Sequence, residues 1–346
     1  MVSFTNLLAA FCLLQTVSSF SPTVTSTPSK LSSSLFATVE AETDDGWTSA
    51  GLLKRDRYVA TNRFAVRKNK GAKFEARWAN RKSRLSDLQG FKYFHLMRRV
   101  TLNEDGTNTY DEGEKSDESN MGNYVSFTVW DKKSDFSAWR KGDAFKEAHG
   151  GTSISAFMST MISSALILRG APRPAFYDGL LVQSTVPEDI PETVDGWRNV
   201  EADGKINLPE ECFIAQNQFF VNGESAAAFE KRWADRESKL KECEGFVAFS
   251  MMRRDTGAKG HGVKEMTDSE AAYLSTTIWE SRASFDAWRK GTAFSKAHGA
   301  KPPSEQSGED KKNDEKPAKP PMPLWSKPPQ PVFYEGTLVI SSADGA

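Results

Sequence analysis

The sequence predicts an α+β protein in which one βαββαβ unit, the ferredoxin-like order, is written twice in tandem. Three observations carry this. AWRKGDAFKEAHG at 138–150 returns at 287–299 as AWRKGTAFSKAHG, with ten of thirteen residues identical. The likeness continues outward on both sides: FEARWANRKSRLSDLQGF (74–91) pairs with FEKRWADRESKLKECEGF (229–246), and AFYDGLLV (175–182) with VFYEGTLV (332–339). The offset is 155 residues, falls to 149 and rises to 157, so loops change length while elements keep their order.

The elements follow in turn. The first strand alternates, with Tyr58, Ala60, Asn62, Phe64 and Val66 on one face and Val59, Thr61, Arg63 and Ala65 on the other. The next segment places Phe74, Trp78, Leu85 and Leu88 on one helical stripe, and Gly90 reads as the left-handed cap that ends it. YVSFTVW (124–130) and YLSTTIW (273–279) are β-branched and aromatic, as strands are. FSAWRK then stops at Gly142 and restarts with Asp143 as cap; Gly291 and Thr292 repeat the break. Arg98–Arg99 and Arg253–Arg254 end a strand in each unit and read as surface charge.

The remaining text is of other kinds. Residues 1–45 form a leader: MVSFTNLLAAFCLLQTVSS has a signal-peptide-length apolar core, followed by a hydroxyl-rich stretch with no acidic residue before Glu40. That order, with Phe20 at the junction, resembles the bipartite plastid presequences of diatoms and related algae, which implies delivery to the chloroplast by signal plus transit peptide; a secreted protein is the alternative. The two units span 55–183 and 211–342, joined by an acidic, Pro-bearing linker at 184–210. An insertion at 300–331 is disordered by composition, with Trp325 as a tether. Its counterpart, 151–174, is apolar but dotted with Ser, and reads as a cover over a pocket beside His149 rather than a transmembrane span. No membrane span is expected in the mature chain.

Formal charge is −1, from 45 basic and 46 acidic side chains, so no global field points to nucleic acid. With Cys12 gone with the leader, only Cys212 and Cys243 remain, and small buried apolar roles suit them better than a disulfide. No Gly-rich phosphate loop, CxxC, HExxH or GxSxG occurs.

Few residues are left to carry chemistry. Asn62 and Asn217 are duplicated amides on apolar faces; each either bonds to neighbouring backbone or faces a ligand, since an unpaired buried amide costs about 1–3 kcal/mol. His149 and His298 end helices, where histidine ordinarily caps or packs, although neutral imidazole is also the common axial ligand of haem iron. Trp139 and Trp288 pack by default.

NRF on a first strand, the GF turn, a TVW strand and AW…AF..AH together resemble the antibiotic biosynthesis monooxygenase domain, and within it the IsdG-type haem-degrading monooxygenases. That resemblance implies a haem site of Asn62, Trp139 and His149, repeated as Asn217, Trp288 and His298. In it the histidine ligates iron, the asparagine acts on the opposite side, and the tryptophan crowds the macrocycle. It implies an iron-releasing monooxygenase that takes haem as both substrate and cofactor, together with O2 and an external electron donor, a reductase or a ferredoxin-like protein. A haem carrier without turnover, and a cofactor-independent monooxygenase of a quinone-like aromatic, are the competing readings. Family members pair two ferredoxin-like subunits into a dimeric α/β barrel, so the two units are expected to form an intramolecular pseudo-dimer.

Overall fold

The computed structural model describes residues 46–81, 84–112, 122–148, 162, 164–185, 193–194, 197–198, 207–259, 262–291, 294 and 324–342. The leader, both ligand-candidate histidines and the bodies of the 151–174 and 300–331 segments lie outside this set.

In the first half, β1 (Arg57–Phe64) is followed by helix α1 (Gly71–Ala79), β2 (Phe91–Leu102), a short β3 (Asn108–Tyr110), β4 (Tyr124–Trp130), helices α2 (Lys133–Lys141) and α3 (Asp143–Ala148), and β5 (Arg173–Ser184). The second half gives β6 (Cys212–Phe219), α4 (Ala226–Ala234), β7 (Phe246–Arg254), β8 (Tyr273–Trp279), α5 (Arg282–Lys290) and β9 (Gln330–Ser341). These nine strands form one antiparallel sheet in the order β9-β6-β8-β7-β5-β1-β4-β2-β3. β9 also pairs with β2, from Phe333↔Val100 to Ser341↔Tyr93, so the sheet closes into a barrel with β3 at its margin. Both seams join the halves: β5 of the first half lies on β7 of the second, and β9 of the second on β2 of the first.

Strand alternation sorts the core into three. Val59, Met97, Val125, Phe127 and Tyr177 meet Ile214, Met252, Leu274, Ile278 and Tyr334 inside the barrel. On the outer face of the first half, Tyr58, Ala60, Phe64, Phe94, Leu96 and Trp130 are covered by Phe74 of α1 and Phe136 of α2. The second half builds the matching layer from Phe213, Phe219, Phe249, Tyr273 and Trp279 under Phe229 and Phe285. The face assigned to Tyr58, Ala60, Phe64 and Val66 is thus the helix-covered one.

Three expectations need correction. The helix expected to run to Gly90 ends at Ala79, where Asn80 N–H bonds back to Ala76; the stripe resumes as a single 3-10 turn at Leu85–Asp87. Gly90 does take a left-handed φ of +74°, but in the turn that leads into β2. A side chain there would run into Asp135, and Gly245 (φ +70°) faces Ser284 in the same way. Second, the insertion gives way to packed chain by Leu324, and β9 already begins at Gln330. Third, all but Arg99 of the arginine doublets are withdrawn from the surface. Arg98 is 1% exposed and lies between Glu75 (2.9 Å) and Glu335 (2.6 Å). Arg253 lies between Glu230 (3.0 Å) and Asp178 (3.1 Å), and Arg254 is buried under the Tyr177 ring.

The break between helices is as read: Gly142 closes α2, donating to Trp139 O, and Asp143 opens α3. Among the described residues no helix is long and apolar enough to cross a membrane.

Candidate functional site

The outer face of β1 carries the candidate site. Asn62 lies opposite Ser126 on β4 and Pro174 on β5, and directly opposed residues share a face. Asn217 repeats the row with Ser275 and Pro331. Asn62 is half-buried and Asn217 exposed, and neither side chain makes a hydrogen bond among the described residues. Of the two readings left open for the amide, bonding to neighbouring backbone is therefore excluded within that set.

Aromatic walls stand at both ends of the row. Toward Tyr58, Trp139 of α2 packs on Trp130 (5.4 Å), Phe136 (5.8 Å) and Phe145 of α3 (5.0 Å). The fixed break at Gly142 lets α3 turn Phe145 back onto the indole. Toward Phe64, Trp78 of α1 packs on Phe64 (5.9 Å) and Phe94 (5.5 Å). The strand between Tyr58 and Phe64 rises about 20 Å, so Asn62 sits on a long apolar floor between two tryptophans. In the second half Trp288 packs on Trp279 (5.3 Å), Phe285 (5.8 Å) and Phe294 (4.9 Å), and Trp233 on Phe219 (5.7 Å).

Sequence reasoning missed the cations of this face. Arg77 on α1 and Arg81, just beyond its end, flank Trp78; Arg81 lies 4.7 Å over its ring, and Arg77 donates to Ser164 Oγ at 2.8 Å. Burial, and after it the neighbouring Arg77 charge, pushes Arg81 down to about 10; burial also lowers Arg77. Arg232 and Arg236 repeat the pair, with Arg236 lowered by burial and then by Arg232. The signal was in the sequence: RWANR and RWADR bracket a tryptophan with two arginines at the end of the same helix in both repeats.

His149 and His298 lie outside the described residues; Asn62 and Trp139 share the helix-covered outer face of the first half, as Asn217 and Trp288 do in the second, with Trp139 packed at the Tyr58 end of the row. Of the four histidines only His95 is described. It points into the barrel, 4.0 Å from Cys212 Sγ, and burial lowers it to about 4, which keeps it neutral in neutral solution. Two cavities among the described residues also lie inside the barrel, one lined by Arg57, Tyr93 and Phe127, the other by Thr61, Arg63 and Tyr177. Neither touches the Asn62 face.

A family model for antibiotic biosynthesis monooxygenases matches residues 57–151 and 212–300. A staphylobilin-producing heme oxygenase of Staphylococcus haemolyticus is 33% identical over 111 residues, 32% of this chain and 90% of that protein. One of Staphylococcus saprophyticus is 34% identical over 96 residues, 28% of this chain and 76% of that protein. A crystal structure from Fusobacterium nucleatum, whose protein carries a provisional monooxygenase description, covers 84% of this chain and 96% of its own at 9% identity and a TM-score of 0.46.

Proposed function

This chain belongs to the antibiotic biosynthesis monooxygenase family, and on that premise we propose that it is a haem-degrading, iron-releasing monooxygenase that works with O2 and an external electron donor. One observation carries the reading: a half-buried amide that makes no hydrogen bond among the described residues, set on an apolar floor between two clamped tryptophans. A solvated amide has no need of such walls, and a packed core would not leave the amide unbonded. A flat, largely apolar ligand with carboxylate substituents fits this face, because Arg77 and Arg81 stand at its Trp78 end. The relatives named for heme oxygenase activity support the same ligand.

When bound, the haem supplies the iron and oxygen chemistry. The chain's own part follows from its side chains. His149 and His298 would hold the haem iron through a neutral imidazole nitrogen. Asn62 and Asn217 would offer the haem an amide donor and acceptor. Trp139, packed on Trp130, Phe136 and Phe145, would crowd the bound ring. Arg77 and Arg81 hold the carboxylates, and the aromatic walls exclude water. The two halves act as an internal pair, and the leader delivers the chain to a plastid, where a reductase or ferredoxin-like protein is the donor.

The test is hemin binding and turnover by the chain from about residue 45 onward. Hemin gives a ligated Soret band, which His149→Ala with His298→Ala abolishes. With reductant, air and catalase the band decays and iron becomes chelatable. Asn62→Ala with Asn217→Ala keeps the band but slows decay at least about tenfold, as loss of a positioned polar group does. A band that persists with all six residues intact makes the protein a haem carrier.

A further inference from the structure

The outer face of each half is crossed by a strap of unrelated sequence hung from the same point. In the first half Arg169 N–H bonds to Ala65 O (2.7 Å), Arg67 N–H to Ile167 O (2.8 Å), and Val66 bridges Leu168. In the second, Ser326 pins itself to Phe220 O through its N–H (2.9 Å) and its hydroxyl (3.1 Å), while Lys327 Nζ stands 3.6 Å over the Phe220 ring. Ala65 and Phe220 are equivalent positions of the repeat, at the offset of 155. Each strap also reaches the equivalent arginine. Ser164 accepts from Arg77, whereas the Trp325 ring takes the Arg232 guanidinium at 5.6 Å. What differs is the wall presented: Ile167 and Leu168 in the first half, an indole in the second.

Trp325 stands against Phe219 (6.3 Å between ring centroids). Phe219 shares the outer face with Asn217, two residues and so about 7 Å along the strand. The indole therefore sits at the rim of the second site, with a guanidinium beside it, next to an exposed amide.

We propose that Trp325 is a specificity-determining residue of the second site: it supplies an additional stacking wall, backed by Arg232, for a flat anionic aromatic ligand, where the described part of the first strap presents Ile167 and Leu168. The proposal builds on the haem reading but asks less of the ligand, since stacking and charge need no iron. At the equivalent point the first site presents Ile167 and Leu168 beside its two tryptophans, so the two sites of one chain differ in affinity and release.

The probes are free-base protoporphyrin IX and hemin, titrated into the full chain and followed by tryptophan quenching and ligand absorbance. Trp325→Ala and Trp325→Leu should weaken one of two protoporphyrin binding steps about 3–10-fold, the range an aromatic contact contributes. Trp325→Phe should restore most of it, and Ser164→Ala should leave that step unchanged. Leucine keeps the strap's apolar bulk, so unfolding of the strap cannot mimic loss of stacking. Equal affinity for wild type and both variants overturns the proposal, as does failure of protoporphyrin to bind. If protoporphyrin behaves as expected while hemin shows no ligated band, the proposal stands and the haem-degrading reading falls; a ligated hemin band with no effect of Trp325→Leu gives the reverse.

Discussion

The two halves carry the same buried charge hub, balanced differently. In the first, Glu75 accepts from Arg98, Tyr124 OH (2.6 Å), Asn207 (3.0 Å) and Leu208 N–H, and Arg98 also grips Glu335 across the seam. In the second, Glu230 accepts from Arg253, Tyr273 OH (2.6 Å) and Leu53 N–H (2.6 Å), and Arg253 grips Asp178 across the other seam. Leu208 and Leu53 are equivalent positions, so each hub ties a lead-in segment, a helix and strands from both halves. The position two residues further on is Glu210 in the first half and Arg55 in the second. Arg55 joins its hub, 2.7 Å from Asp178, giving two cations to two carboxylates. Glu210 instead adds a third carboxylate around Arg98. One fold thus tolerates both a balanced and an over-acidic hub at equivalent seams.

The largest test of this difference is removal of each arginine. Arg98→Met strands Glu75 (0% exposed) and Glu335 (4%) without a cation and should cost about 3–5 kcal/mol. Arg253→Met leaves Asp178 still paired with Arg55 and should cost roughly 2–3 kcal/mol. Urea unfolding of the two variants ranks them; equal losses would mean that Arg55 does not support its hub.

A smaller effect should not separate the halves at all. Gly90 and Gly245 take the same left-handed turn, and a side chain at either would meet the base of the residue across from it, Asp135 or Ser284. Gly90→Ala and Gly245→Ala should each cost about 1–3 kcal/mol, since the backbone itself must shift. Thermal melts that place one variant near wild type would show that the two turns are not built alike.

These comparisons also show what the text alone made legible. The alternation of β1 placed Asn62 on the helix-covered face, and the Gly142 break placed Trp139 where α3 folds back on it. The same alternation, continued along β2, puts Arg98 in the row of Phe94 and Leu96. Two adjacent arginines at a strand end look solvated, and the partners that bury Arg98 lie 23 and 237 residues away, beyond any local pattern. The helix was read too long because the apolar stripe continues through Leu85 after the backbone has turned at Asn80. Whether Asn62 finds a partner, and that two straps hang from one carbonyl position, depend on tertiary placement.

The smallest expected effect belongs to Glu210. Desolvation, and after it the charge of Glu335, pushes its carboxyl up to about 7, while Arg98 and Arg282 pull it down. For an acid raised in the folded state the sign is fixed. Below about pH 4.5 both states hold the proton and nothing is lost. As pH rises from there to about 7 the unfolded chain releases its proton first, so folding weakens across that window and the penalty is complete above it. Glu210 is exposed, so water screens much of this, and the penalty should stay below about 1 kcal/mol. Glu210→Gln removes it: the variant should match wild type near pH 4.5 and be slightly more stable at pH 8, with a flatter profile between. Arg55→Gln in the other half should act oppositely at pH 8, lowering stability by releasing Asp178 from one of its two cations. Denaturant midpoints at pH 4.5, 6 and 8 for both variants decide the matter, and a Glu210→Gln profile parallel to wild type would show that the third carboxylate is already neutralised by Arg282.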